Sequence, residues 1–275
     1  MQKVLIYDLN NWLRVKCEES QGGAALSNLW LETISNSSQD IFQIFVSDGF
    51  NSREKRRNLY PEYKAKRKPA DQSFFDGLKF FKELLRYAPI NVLRIEVPEY
   101  EADDVIANLA SRYHLKHDVH IISTDKDLTQ LNVLENVHTL AKEKTEPRFV
   151  RLYKTFVGDS SDNIPGVRGF GEGAWEKTSL DWKKRMTALF YLEEGNPKKE
   201  DILSLCRKEG MSEKLLAKIE ETDLALWYKL VGFFEVDEST LMNYINCGNE
   251  MVDYGWQKLQ ETEMLGMYEG DNYGN

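Results

Sequence analysis

The sequence predicts an α/β protein with a mainly parallel central sheet flanked by helices. Three short apolar segments, KVLIYD, DIFQIFVSDG and DVHIIST, have the length and composition of buried strands. Segments with the apolar spacing of amphipathic helices lie between them, and SFFDGLKFFKELLRYA is the clearest. Strands that alternate with helices along a chain form parallel sheets. In such sheets, ligands bind beyond the carboxyl ends of the strands.

The second half of the chain has a different character. From Thr178 onward the strand signals fade, and four helical segments follow: WKKRMTALFYL, KEDILSLCRKE, SEKLLAKIEETDLALWYKLV and one around STLMNYINC. We therefore expect an α/β domain over residues 1–150 and a helical region over residues 151–275. The polar, glycine-rich tail GMYEGDNYGN is expected to fray.

Composition excludes several classes of protein. The chain has 275 residues, of which 41% are hydrophobic, so it is large and apolar enough to form a packed core. It has no apolar run long enough to cross a membrane, and its N-terminus lacks the features of a signal peptide. Cys17, Cys206 and Cys247 are scattered, which fits a reducing compartment rather than a disulfide framework. We expect a cytoplasmic monomer that does not bind membranes.

Acidic residues follow the predicted strands and recur in three further segments. Asp8, Asp48 and Asp125 each stand at the end of a strand, where the ligand edge of a parallel sheet lies. The other candidates come from EADD, TDKD and GDSSDN, and they are Glu101, Asp103, Asp104, Asp127, Asp159 and Asp162. Each segment alone is more often a helix cap or a polar turn. Together, however, the topology directs these groups toward one edge of one sheet.

Carboxylates that converge require cations, because each one raises the pKa of its neighbours. The histidines stand elsewhere in the sequence and are expected to be ordinary surface or core residues: His114, His117, His120 and His138. The candidate ligands are therefore all oxygen atoms, which favours Mg²⁺ or Mn²⁺ over Zn²⁺. Two such ions about 4 Å apart are the usual machinery for cleaving phosphodiester bonds.

A basic segment, residues 51–68, follows the strand that ends at Asp48. It holds eight basic and two acidic residues in a chain whose net charge is −9. The basic residues are Arg53, Lys55, Arg56, Arg57, Lys64, Lys66, Arg67 and Lys68, and Tyr60 and Tyr63 are interleaved. Alone, such a run is often a solvated surface, but beside an acidic edge it would attract phosphates, and its tyrosines would stack on bases. Lys64 or Arg67 would stabilise charge on the scissile phosphate.

A glycine-rich turn, residues 158–173, precedes a helical segment. Its glycines are Gly158, Gly166, Gly169, Gly171 and Gly173. Glycines before a helix let backbone N–H groups approach phosphates closely. A lone turn of this kind is ordinary, but after two candidate metal ligands it indicates a clamp on the backbone of a nucleic-acid duplex.

Together these segments resemble the 5′-nuclease family of phage 5′–3′ exonucleases, flap endonucleases and the 5′-nuclease domains of bacterial DNA polymerases. The resembling stretches, in family order over residues 3–175, are IYDLNN, FVSDG, REKRRNLYPEYKAKRKP, YEADD, ISTDKDLTQL and VGDSSDNIPGVRGFG. The resemblance implies a PIN-like nuclease core within residues 1–150, with a helical arch at about 51–80. It also implies a DNA-binding region over 151–275 with a helix-three-turn-helix at about 159–178.

The resemblance further implies roles for the matched acidic residues. One metal ion would be surrounded by Asp8, Asp48, Glu101 and Asp103. The second would be surrounded by Asp125, Asp127 and Asp159, with Asp104 and Asp162 nearby or acting through water. These ions would be two Mg²⁺ or Mn²⁺.

The remaining matched residues are implied to contact the substrate. Lys64 and Arg67 match catalytic basic residues of the arch, and the rest of the basic segment would bind DNA. The turn residues that match the family are Gly166, Val167, Gly169 and Gly171, and their carbonyls often hold K⁺. The chain has Leu9 where the family has glycine after its first aspartate. It also has Gly173 where the family often has a phosphate-binding lysine, so that contact would either be lost or move to Arg168 or Lys177.

We therefore expect a divalent-metal-dependent 5′–3′ exonuclease or flap endonuclease that uses two metal ions. Its substrates would be 5′ ends, flaps or nicks in DNA, including RNA primers in RNA–DNA hybrids, and replication proteins would be its partners. No polymerase segment follows, which favours a stand-alone phage or bacterial enzyme. An inactive DNA-binding module is disfavoured because every matched acid is present. A Mg²⁺-dependent small-molecule phosphatase would not explain the basic segment or the glycine-rich turn.

Overall fold

The computed structural model describes residues 1–20, 24–38, 40–68 and 70–264, so the tail GMYEGDNYGN lies outside the described residues. The chain divides into two compact units, each built from separate stretches of sequence. The first unit comprises Met1–Ser52, Pro69–Lys142 and Glu235–Asn275, and the second comprises Arg53–Lys68 and Glu143–Phe234. The basic segment therefore belongs almost entirely to the helical unit. The predicted functional division at residue 150 stays a prediction.

A six-stranded sheet forms the centre of the first unit. Its strands are β1 (Gln2–Asp8), β2 (Ile41–Ser47), β3 (Val92–Glu96), β4 (His117–Ile122), β5 (Val137–Thr139) and β6 (Ile245–Cys247). They lie in the order β5-β4-β1-β2-β3-β6, and all neighbouring pairs are parallel except β3 and β6. The predicted α/β fold with a mainly parallel sheet is confirmed. The sheet order places β1 between β4 and β2, so their carboxyl ends are adjacent.

Thirteen helices are present in the described parts of the chain. They are α1 (Leu9–Glu19), α2 (Ala25–Ser35), α3 (Glu54–Leu59), α4 (Gln72–Leu84), α5 (Ala102–Tyr113), α6 (Pro147–Val157), α7 (Glu172–Lys177), α8 (Leu180–Leu192), α9 (Lys199–Lys208), α10 (Glu213–Glu221), α11 (Leu224–Leu230), α12 (Glu238–Asn243) and α13 (Val252–Met264). Two 3-10 helices, Leu85–Tyr87 and Lys126–Val133, complete the set. None of the helices in the described ranges has the length and apolar character needed to cross a bilayer.

The core of the first unit forms where apolar side chains of β1 and β2 meet the flanking helices. Tyr7 and Phe45 stack with their ring centroids 4.4 Å apart, and Phe81 of α4 packs edge-on against Phe45. Leu9, which replaces the glycine of the family pattern, is fully buried in this core and begins α1. Its side chain therefore contributes packing at the point where the chain turns away from the acidic end of β1.

Two segments that were each predicted to be one helix have a different structure from the prediction. The segment around STLMNYINC ends as a helix at Asn243, and Ile245–Cys247 instead forms β6. The prediction of a helix over Ile245–Cys247 was wrong. These residues pair with β3, which lies about 150 residues earlier in the chain, and the local apolar pattern of a segment does not reveal such a distant partner. The segment SEKLLAKIEETDLALWYKLV is two helices, because Asp223 accepts a hydrogen bond from Leu226 N at 3.0 Å and caps α11.

The second unit has its own aromatic core. Trp182 of α8 packs edge-on against Phe156 of α6, with ring centroids 5.4 Å apart, and Phe170 and Trp175 pack around the same indole. The glycine-rich turn connects α6 to α7, and Phe170 within the turn belongs to this core. The core thus fixes the position of the turn in which the helix-three-turn-helix is predicted.

Candidate metal and nucleic-acid sites

Three carboxylates lie at the adjacent carboxyl ends of β1, β2 and β4. Asp8 is the last residue of β1, Asp48 follows β2, and Asp125 comes three residues after the end of β4. Burial, followed by the negative charges of Asp48 and Asp125, raises the pKa of Asp8 to about 7. We call this group, together with the start of α5 at Glu101–Asp104, the acidic edge.

Hydrogen bonds fix the orientation of Asp8. Its carboxylate accepts from Asn11 N at 3.2 Å, which caps α1, and from Ser123 Oγ at 3.1 Å. Ser123 Oγ in turn accepts from Asp125 N at 3.1 Å, so one hydroxyl group links the two acidic strand ends. Sequence reasoning missed Ser123 and Asn11, although both lie inside the quoted stretches ISTDKDLTQL and IYDLNN.

The start of α5 joins the acidic edge through Asp48. Ala102 N donates to the Asp48 carboxylate at 2.9 Å. Glu101 is the N-cap of α5, and its side chain accepts from Asp104 N while the Asp104 carboxylate accepts from Glu101 N. Glu101 and Asp104 are buried, and Asp103 is half-buried. Glu101 and Asp104 therefore do cap the helix, which was the alternative interpretation of this segment. The predicted roles of Glu101, Asp103 and Asp104 as metal ligands stay predictions.

Asp125 and Asp127 occupy the turn after β4. Asp125 caps the 3-10 helix Lys126–Val133, and its carboxylate accepts from Asp127 N at 2.9 Å. Both residues are half-buried. The turn therefore carries two candidate metal ligands, Asp125 and Asp127, and the negative charge of Asp125 acts on Asp8.

The chemistry of the acidic edge fits a hard divalent cation. Asp8 is almost fully buried, and its pKa is raised first by that burial and then by the negative charges of Asp48 and Asp125. Carboxylate oxygens, which dominate this edge, are the ligands that Mg²⁺ and Mn²⁺ prefer. A bound cation would restore the ionised form of Asp8, because metal binding and deprotonation are coupled.

Asp159 belongs to the second unit and has a cationic partner there. Lys154 Nζ lies 2.6 Å from its carboxylate, and Ser161 donates to it from both its backbone N and its hydroxyl group. Burial alone would raise the pKa of Asp159, but Lys154 and the Ser161 hydrogen bonds outweigh it, so the pKa is lowered. Asp159 is therefore ionised in the absence of any metal ion, and its role as a metal ligand stays a prediction.

Asp162 connects the glycine-rich turn to the basic segment. Its carboxylate accepts from Tyr63 Oη at 3.1 Å and from Arg67 at 3.4 Å, and Lys64 Nζ lies 3.8 Å away. Its backbone carbonyl accepts from Lys64 N at 3.0 Å. Lys64 is itself buried. Asp162 thus holds both predicted catalytic cations in place.

Burial separates the basic segment into two sets of residues. Arg56 is buried and donates to the carbonyls of Leu230 and Gly232, and Tyr63 is buried in the aromatic core. These two residues stabilise the unit in this way, and the predicted contacts of Arg56 and Tyr63 with DNA stay predictions. The remaining DNA-binding candidates of the segment are at least partly accessible: Arg53, Lys55, Arg57, Tyr60, Lys66 and Lys68. Arg67 is also exposed.

The glycine-rich turn presents its backbone at the surface. Gly166 has φ of +62°, and a side chain there would overlap the backbone of residues 156–158. Val167 is buried, and its N–H donates to Phe156 O at 2.7 Å, so it anchors the turn. The residues Arg168, Gly169, Gly171, Gly173 and Lys177 are exposed.

The turn and the basic segment are bonded to one another within the second unit. Asn163 Nδ2 donates to Glu62 O at 2.9 Å, and Tyr60 Oη donates to Asn163 O at 3.2 Å. These bonds connect positions about one hundred residues apart in the sequence. The two stretches predicted to bind DNA are therefore parts of one folded surface.

Comparison with known proteins identifies relatives of the sequence. The profile of the family described as "5'-3' exonuclease, N-terminal resolvase-like domain" matches residues 18–155. A 5'-3' exonuclease of Aquifex aeolicus is 33% identical over 229 residues, which cover 78% of this chain and 72% of that protein. The thermostable DNA polymerase I of Thermus aquaticus is 32% identical over 184 residues, covering 62% of this chain and only 20% of the polymerase.

A solved structure has the same fold. The flap endonuclease of bacteriophage T5, in a complex with DNA and metal ions, superposes with a TM-score of 0.52 at 20% sequence identity. The superposition covers 96% of this chain and 100% of that chain. The α/β fold with its attached helical unit is therefore shared over essentially the whole length of both proteins.

Proposed function

Because this chain belongs to the 5′–3′ exonuclease family of nucleases, we propose that it hydrolyses phosphodiester bonds at the 5′ ends of DNA with divalent metal ions bound at the acidic edge. The observation that carries this proposal is Asp8, a buried carboxylate whose pKa is raised to about 7 by burial and by Asp48 and Asp125. Such an arrangement is costly for a protein unless a cation is bound there.

The acidic edge would hold Mg²⁺ or Mn²⁺. Asp8, Asp48, Glu101 and Asp103 would hold one ion, and Asp125 and Asp127 would contribute to a second. When bound, the ions would lower the pKa of the attacking water and stabilise the leaving oxygen. Ser123 and Asn11 fix the orientation of the Asp8 carboxylate, and Ala102 N does the same for Asp48.

The second unit would bind the substrate. The exposed backbone of the glycine-rich turn would contact duplex phosphates, assisted by Arg168 and Lys177. Lys64 and Arg67 would approach the scissile phosphate, and Asp162 would act as their positioning residue. The flap endonuclease of bacteriophage T5, which shares this fold, is known in a complex with DNA and metal ions, which supports this assignment.

Finer features of the function belong to the same proposal. The substrates would include flaps, nicks and RNA primers in RNA–DNA hybrids, and K⁺ would bind the carbonyls of the glycine-rich turn. The relationship to DNA polymerase I supports a place in DNA replication, with replication proteins as partners. The protein would act as a monomer in the cytoplasm, a reducing compartment in which free thiols such as its three cysteines persist.

The proposed activity is tested with three DNA substrates labelled at the 5′ end: a flap, a nicked duplex and a single strand. We expect Mg²⁺-dependent release of short 5′ products from the flap and nicked substrates, and none in EDTA. Asp125→Asn should abolish cleavage, because it removes a carboxylate of the acidic edge. Asp253→Asn, which alters an exposed aspartate of α13, should cleave at the wild-type rate.

Three outcomes would contradict the proposal. Binding of the flap without cleavage under every divalent ion would indicate an inactive DNA-binding module. Undiminished Mg²⁺-dependent cleavage by Asp125→Asn would remove the acidic edge from the mechanism. Hydrolysis of a small phosphate ester, with no cleavage of DNA, would favour a phosphatase.

A further inference from the structure

A second group of metal-ligand side chains lies on the sheet, away from the strand ends that form the acidic edge. Asp118 and His120 are alternate residues of β4 and project from the same face, and His138 is the register partner of His120 on β5. All three lie within the strands, whereas the acidic edge begins where the strands end. The sequence alone does not indicate that these side chains lie together, because His120 and His138 are 18 positions apart.

The three side chains converge on one point. His120 Nε2 lies 2.9 Å from one Asp118 oxygen, and His138 Nε2 lies 3.3 Å from the other. One ligand atom from each residue lies within 4.8 Å of the other two. Ligands of a tetrahedral Zn²⁺ at bond lengths of about 2.0–2.1 Å are about 3.4 Å apart. Small side-chain rotations would therefore place all three donors around one ion.

We propose that Asp118, His120 and His138 form a binding site for a transition-metal ion of the Zn²⁺ class. Two imidazoles and one carboxylate are a ligand set found in zinc sites, and imidazole suits Zn²⁺, Ni²⁺ and Cu²⁺ far better than Mg²⁺. The chemistry of this site thus differs from that of the acidic edge, where oxygen ligands favour Mg²⁺ or Mn²⁺. The two sites would select different ions from the same solution.

The position of the site indicates what the ion would do. β5 is an edge strand of only three residues, and β4 is its partner in the sheet. An ion held by His138 of β5 and by Asp118 and His120 of β4 would fasten this short edge strand to the sheet. His138 is exposed and the other two side chains are partly exposed, so water or another ligand can reach the remaining coordination position. The binding energy would appear as stability of β5.

A simpler arrangement gives the same geometry without a metal ion. Asp118 can accept hydrogen bonds from both imidazoles, and Lys3 of β1, its register partner, adds a positive charge beside it. In that case the cluster is an ion-pair network that binds protons rather than metal ions. Titration with Zn²⁺ distinguishes the two arrangements.

The experiment uses the full chain, freed of metal with EDTA, dialysed and then saturated with Mg²⁺ to occupy the acidic edge. Zn²⁺ is titrated calorimetrically at about pH 7.5. We expect one Zn²⁺ to bind without displacing Mg²⁺. His138→Gln should weaken this binding by more than about 10-fold, the lower end of what loss of a supporting group costs a metal site. His114→Gln, which changes a histidine outside the cluster, should bind Zn²⁺ as the wild type does.

Hydrogen exchange gives a second measurement that does not depend on enzymatic activity. Zn²⁺ should slow exchange of the backbone amides of Val137–Thr139 in the wild type and leave them unchanged in His138→Gln. The same titration in an Asp8→Asn background separates the two sites, since loss of the acidic edge should leave Zn²⁺ binding intact. Equal Zn²⁺ affinity in His138→Gln and the wild type, or loss of Zn²⁺ binding in Asp8→Asn alone, would overturn the proposal.

Discussion

Asp8 combines a structural and a chemical role in one side chain. It caps α1 through Asn11 N, accepts a hydrogen bond from Ser123, and is buried beside the negative charges of Asp48 and Asp125. The position of Asp8 at a strand end is readable from the sequence. The raised pKa of Asp8 cannot be predicted from the sequence, because its burial and its distance from Asp48 and Asp125 depend on how the sheet folds.

Metal-free protein should lose stability as the pH rises from about 4 to about 7. The pKa of Asp8 is about 7 in the folded protein, against an ordinary value of 3.8 for an aspartate. The folded chain therefore binds more protons than the unfolded chain in this window, and the free energy of unfolding falls as these protons leave. The loss should be on the order of a few kcal/mol. Urea unfolding in EDTA at the two ends of this window measures it.

The matched variant for that measurement is Asp8→Asn, which cannot ionise. Its free energy of unfolding should change less between the two pH values than that of the wild type, while Asp253→Asn should follow the wild type. If Asp8→Asn and the wild type lose equal stability, the pKa of Asp8 is not raised in the folded protein.

Asp162→Asn should destabilise the protein by about 3 kcal/mol, because it removes charge from a buried ion pair with Lys64. Urea unfolding measures this change. Asp181→Asn removes an exposed ion pair with Arg185 and should cost less than about 1 kcal/mol. Equal losses in the two variants would show that Lys64 does not depend on Asp162.

At the scale of elements, the strands and most helices follow from local patterns. β1, β2 and β4 are apolar runs with acidic residues after them, and α4 has a clear amphipathic period. β6 was not predictable in this way, since three residues acquire strand geometry only by pairing with β3. The segment EADD was also interpreted as a helix cap, and Glu101 and Asp104 do cap α5. The same two residues belong to the acidic edge, so the cap does not exclude a role in metal binding.

Gly166→Ala should destabilise the second unit by more than about 3 kcal/mol. The backbone there has φ of +62°, which costs a side chain about 1–3 kcal/mol, and the added Cβ would also overlap Gly158 and Phe156. Gly171→Ala is the control, because its φ is −87° and the space beside it is open. Thermal unfolding compares the variants, and similar midpoints for both would contradict the assigned turn geometry.

At the scale of the whole molecule, charge is distributed unevenly. The net charge is −9, yet the exposed cations of the basic segment lie beside the glycine-rich turn. The sequence predicted this basic surface from composition. It did not predict that Arg56 and Tyr63 would be buried, because a run of cations and tyrosines does not indicate which side chains pack inward.

Binding of duplex DNA should weaken steeply with salt, because exposed cations release counterions from phosphates. Replacing Lys66 and Lys68 together with alanine should reduce the magnitude of the slope of log K against log salt by about 2, near 0.9 for each phosphate contact. Lys184→Ala, on the exposed surface of α8, should leave the slope unchanged. A slope that is the same in all three proteins would exclude the basic segment from DNA contact.

The most direct test of the account is a calorimetric titration of the full chain with Mg²⁺, comparing the wild type with Asp8→Asn. The account predicts that the wild type binds Mg²⁺ and releases protons near neutral pH as Asp8 ionises, seen as a heat that depends on the buffer. Asp8→Asn should bind more than about 10-fold more weakly and release fewer protons. Equal affinity and equal proton release in the two proteins would contradict the claim that the acidic edge is a metal site.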